Sequence, residues 1–135
     1  MIITRIWHIT LVENGCLPKG QLVAQWRELN SIFKKQDNHI LINYIYNYDK
    51  SYLKAYADKV IAEMKRRCYK INSFENYNSY FDGITCDGNE LFAEHDDEYL
   101  TICYWNLREK YIRGQKDFTI EFIDMVWNTY KEKWL

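Results

Sequence analysis

The stretch Gln21-Leu22-Val23-Ala24-Gln25-Trp26-Arg27-Glu28-Leu29, continuing to Phe33, decides the fold of this 135-residue chain. Leu22, Trp26, Leu29 and Phe33 recur at the spacing of a helix buried along one side, and Val23 and Ile32 widen the stripe. The pattern predicts a helix from about Gly20 to Phe33, entered through the loop residue Pro18. At about 100° per residue, Gln21, Gln25 and Glu28 fall on one flank of the stripe, and Arg27 and Lys34 on the other. The first turn leaves amide N–H groups free, where a phosphate can be held. By its spacing alone, Glu28 is a solvated helix carboxylate.

Outward from this helix the chain continues in helical periods. Asp37-Asn38-His39 ends it, and Ile40 to Tyr48 alternates too imperfectly for a strand and has no partner segment, so an irregular connection is expected. A second helix, capped by Asp49 or Ser51, carries Tyr52, Tyr56, Val60 and Met64 with Leu53 and Ile61 on its buried side. Its far end gathers Lys65, Arg66, Arg67 and Lys70, which suits a helix C-terminus and also a phosphate-contacting patch. From Asn72 to Phe81, the aromatics Phe74, Tyr77, Tyr80 and Phe81 either cover the core or stack on an extruded base. A third helix, read as a core helix, runs from about Asp96 to Tyr111 through Leu100, Cys103, Tyr104 and Leu107. A fourth, capped near Asp117 or Thr119, carries Ile120, Ile123, Val126, Trp127, Tyr130 and Trp134. The expected fold is all-α: a compact single domain, residues 1–135, of about four helices.

Composition places the chain among globular proteins, with 47% hydrophobic and 17% aromatic residues. The net charge of −1 conceals a segregation. Seven acids and no Lys or Arg lie between Asp82 and Glu98, which leaves 12 acids against 18 basic residues elsewhere. Binding to phosphates depends on where cations lie more than on their sum, so an acidic loop held off a duplex is compatible with it. Cys16, Cys68, Cys86 and Cys103 form no Cys-x-x-Cys pair, and the segment from Asp82 lacks the ligand spacing of a calcium loop. No metal or cofactor is expected, and reduced thiols are the default. Arg5 and His8 interrupt any leader-like apolar run and no membrane-spanning stretch exists, so a soluble intracellular monomer is expected.

Thr4-Arg5-Ile6, then Thr10-Leu11-Val12, then the quoted helix ending at Phe33, resemble the bacteriophage-type pyrimidine dimer DNA glycosylases, small UV-repair enzymes of base excision repair. Weaker likenesses follow at Tyr48-Asp49-Lys50, at Val60 to Arg66 and at Leu107-Arg108-Glu109-Lys110. The resemblance implies a DNA glycosylase that also cleaves abasic sites, hence an endonuclease on damaged double-stranded DNA. Its amine matches Thr4 and its carboxylate matches Glu28. Met1-Ile2-Ile3 precede Thr4, and Ile2 is too bulky for ready removal of Met1. The nearest α-amine is then that of Met1, up to about 10 Å of extended chain from Thr4. The resemblance further implies phosphate contacts by Arg5 and Arg27, with Gln21 near the kinked strand. Ser31 and Asn106 stand where two family arginines would lie, so affinity is expected to shift toward Lys34, Lys35, Lys65, Arg66 and Arg67. A source encoded by a virus fits the resemblance. Two other readings stand beside it: a DNA-binding relative without activity, and a helical protein-interaction domain.

Overall fold

The computed structural model describes residues 5–134, and within them the side chains up to residue 132. Met1 and Thr4, the two expected amine positions, lie outside the described residues, as does the Trp134 side chain.

Six helices and one 3-10 turn form the described chain, with no strand among its residues. They are α1 (Ile9–Glu13), α2 (Lys19–Lys34), the 3-10 turn (Asn43–Asn47), α3 (Lys50–Arg66), α4 (Glu75–Tyr80), α5 (Asp97–Ile112) and α6 (Ile120–Trp134). The four long helices are those anticipated from periodicity; the expected total of about four is corrected to six by α1 and α4. Both are too short to show a helical period, and each is held by tertiary contacts.

The buried stripes of α2 and α3 follow the sequence closely, whereas in α6 Ile123 and Val126 are buried and Ile120 and Trp127 are exposed. Leu22, Trp26, Leu29, Ile32 and Phe33 of α2 face Leu53, Tyr56, Val60, Ile61 and Met64 of α3, and all ten are buried. Asp96 caps α5 by accepting the Tyr99 N–H, with Asp97 and Glu98 in the first turn where the helix dipole favours acids. Asp49 occupies the cap position of α3, yet its side chain makes no capping bond. Helix α5 departs from expectation on its outer side. Leu100, Cys103, Tyr104 and Leu107 are buried, while Ile102, Trp105 and Ile112 are exposed. It is a core helix along one face and apolar along the other.

Helix α4 lies across α2. Phe33 stacks on Tyr80 with ring centroids 5.2 Å apart and meets Phe81 edge-on at 5.1 Å, and Trp26 lies 5.9 Å from Phe74. These aromatics therefore cover the core.

Segment 5–8, which has no regular secondary structure, passes through the centre of the bundle. Tyr99 of α5 donates its hydroxyl hydrogen to the Ile6 carbonyl at 2.5 Å, and Tyr56 of α3 donates to the Trp7 carbonyl at 2.7 Å. Gln25 of α2 accepts the Trp7 N–H at 2.9 Å. Three buried peptide groups of this segment thus find partners on the surrounding helices. The chain then turns after α1 at Gly15, whose φ of +70° favours glycine and where an added Cβ would come within 3.1 Å of the Glu63 and Arg66 side chains.

Candidate active site

Glu28 follows Gln25 by three residues on α2 and so lies one turn further along the same side of the helix. It is half-buried. Burial pushes its carboxyl up to about 7, against the opposing pull of the Arg27 and Lys110 cations. The charge of Glu28 is also felt by the Tyr56 hydroxyl, the group that holds Trp7. A carboxyl near neutrality, partly open to solvent and flanked by cations, can both take and give a proton at physiological pH.

The opening segment is held by a polar cluster of its own. The His95 Nδ1 accepts the Ile9 N–H at 3.0 Å, which places the neutral ring's proton on Nε2, where the Tyr44 oxygen lies 2.7 Å away. The His95 ring stands 5.4 Å from that of His8 and 5.2 Å from that of Tyr99. Burial, then the neighbouring His8, lowers its pKa to about 3, so it stays neutral.

Arg27 points to the other side of α2, into a groove of about 650 Å³ lined also by Lys19, Trp26, Asn30, Tyr69 and Lys70. The Lys19 ammonium lies 5.3 Å from the Tyr69 ring centroid and that of Lys65 lies 5.8 Å from Phe74. The beginning of α2 and the end of α3 share this groove, with Lys19, Arg27 and Lys70 along it.

The family model described as pyrimidine dimer DNA glycosylase matches residues 4–76. The chain belongs to this family. No curated protein and no solved structure matches the chain. The matched part of the glycosylase holds α1 to α3, Gln25 and Glu28, whereas α5 and Lys110 lie beyond it. Membership carries with it the binding of damaged DNA.

The other expected site residues are distributed unevenly. Arg5 lies over the rings of Trp7 and Tyr99 at 5.8 and 6.0 Å and lines a small pocket with Tyr44 and Glu94. Gln21 is half-buried in the first turn of α2. Lys34 and Lys35 lie at the opposite end of α2, in a separate groove with Tyr46, Lys50 and Tyr80. Arg67, with its side chain 11% exposed, bonds the Glu63 carboxylate and the Gly15 carbonyl. Arg66 also pairs with Glu63 but keeps 64% of its side chain open. Gln25 and His95 were absent from the sequence-based candidates. Gln25 was placed on a polar flank and is only 1% exposed, and His95 is hidden in a run of acids.

Among the described residues, no group of three His, Cys, Asp or Glu side chains is arranged to hold a metal ion. No helix among them is long and apolar enough to cross a membrane.

Proposed function

We propose that this glycosylase acts on UV-damaged duplex DNA through an amine at the amino-terminal side of Arg5, with Glu28 as its acid and base. The observation that carries the reading is Glu28 itself: half-buried, raised to about 7, and one helical turn from the glutamine that holds the incoming segment. The amine attacks C1′ of the damaged nucleotide, and the base leaves with its bonding pair. The attached nitrogen gives up a proton, the C1′–O4′ bond breaks with its pair going to O4′, which takes a proton, and the nitrogen lone pair closes the Schiff base. Removal of a C2′ proton then expels the 3′ phosphate by β-elimination. An α-amine, with a reference pKa near 8, is far more often unprotonated at neutral pH than a lysine near 10.4. Glu28 supports the cationic sugar and relays the protons.

Arg27, Lys19, Lys65 and Lys70 grip phosphates along the groove of α2 and α3, with Arg66 and Gln21 beside them and Arg5 as a separate contact. Lys34 and Lys35 supply a second contact further along α2. Arg67 is left out of this set because its guanidinium is held by Glu63 and Gly15.

Borohydride trapping on duplexes containing an abasic site or a pyrimidine dimer tests the reading. A covalent adduct is expected from the unaltered chain and none from Glu28→Gln, and the mass of the trapped peptide identifies the attacking nitrogen. Binding that persists and weakens with salt, without trapping, would instead support the non-catalytic relative, a reading favoured by Ser31 and Asn106 at two arginine positions.

A further inference from the structure

The geometry points to Gln25 as the positioning residue that registers the amino-terminal segment against Glu28, an inference that rests on the glycosylase reading above. Gln25 is 1% exposed, and its Oε1 receives the Trp7 N–H at 2.9 Å and lies 3.2 Å from the Tyr56 hydroxyl. That hydroxyl closes on the Trp7 carbonyl at 2.7 Å. Both backbone polar groups of one residue, Trp7, are thereby fixed by a single pair of side chains from α2 and α3.

The Gln25 amide nitrogen adds no hydrogen bond of its own. It is buried without a hydrogen-bond partner, an unfavourable state that a leucine of similar size would avoid. A leucine would also lose the only acceptor that holds the Trp7 N–H. The same helix carries Glu28 about 4.5 Å further along its axis, by the rise over three residues. Ile6 and Arg5 therefore leave from a point set by Gln25, and Arg5, packed on the Trp7 and Tyr99 rings, carries that register outward. Displacing a reacting group by about 1 Å can cost on the order of 100-fold in rate without altering substrate binding.

The test uses the full chain with Gln25→Leu, Gln25→Glu and Tyr56→Phe. Each is measured for its Kd on a duplex with a stable abasic analogue, its single-turnover trapping rate at saturating abasic duplex, and its melting temperature. Gln25→Leu is expected to slow trapping by about 10- to 100-fold with Kd changed by less than about threefold. Gln25→Glu, which restores the acceptor, is expected to recover most of the rate. Tyr56→Phe keeps the core's shape and should show the same split more weakly, so it carries the test if Gln25→Leu does not fold. Trapping at the unaltered rate in Gln25→Leu, or rate and affinity falling together in all three variants, overturns the assignment of Gln25. No trapping by the unaltered chain overturns the glycosylase reading and this inference with it. Normal trapping that is indifferent to Gln25→Leu removes this inference alone.

Discussion

Glu28 titrates near 7 in the folded protein, above its ordinary range, because burial disfavours its charge. As a base it must be ionised, so single-turnover trapping should rise with pH through an inflection near 7 on a subsaturating abasic substrate. The inflection should vanish from any residual activity of Glu28→Gln. His95 makes an opposite demand. Its folded pKa of about 3 lies below the unfolded value near 6.5, so the unfolded chain takes up a proton first as the pH falls. Stability contributed by neutral His95 is complete above about 6.5 and declines toward pH 3, by up to about 1.4 kcal/mol per pH unit. Urea midpoints at pH 7 and 4.5 should therefore diverge in the unaltered protein. His95→Asn should be weaker at pH 7 and less sensitive to acid. Neither Gln25 nor His95 could be recognised from a pattern of residues. A polar group earns burial through a partner distant in sequence, and the partners here, Trp7 for Gln25 and Ile9 for His95, are 18 and 86 residues away.

The long helices were legible because their apolar residues repeat over several turns, and α2 is the clearest case. Removing Phe33, which contacts Trp26, Tyr77, Tyr80 and Phe81, leaves a cavity that α4 cannot fill. Phe33→Ala should cost about 3–5 kcal/mol in urea unfolding, and α4 should lose amide protection first. Helices α1 and α4 were not legible, since five and six residues are too few to establish a period. The outer face of α5 misled for a different reason. Leu100, Cys103 and Leu107 match a buried stripe, and nothing in that pattern reports that Trp105 and Ile112 remain outside. At the groove, Arg27→Ala, Lys19→Ala and Lys70→Ala should each weaken DNA binding irrespective of sequence. Each should also reduce the slope of log K against log salt by about 1.

Across the whole molecule, the acidic segment and the basic end of α3 lie apart, while Lys34, Lys35 and Lys50 form a second group of cations at the beginning of α3. The acidic segment is pinned at the beginning of this helix, where Phe92 packs against Tyr48 and Tyr52 and Glu94 accepts the Tyr48 hydroxyl. Lys65, Arg66 and Lys70 gather at its end, about 25 Å away by the rise of 17 residues. The sequence located these charges along the chain but not in space, since only the fold places Phe92 beside α3.

This separation leaves a nearly neutral protein with a local cationic patch at the end of α3. A polyanion responds to such a local patch more than to the net charge. A protein of isoelectric point near 6.3 should consequently be retained on heparin at pH 7, and should elute earlier when the lysines at the end of α3 are neutralised.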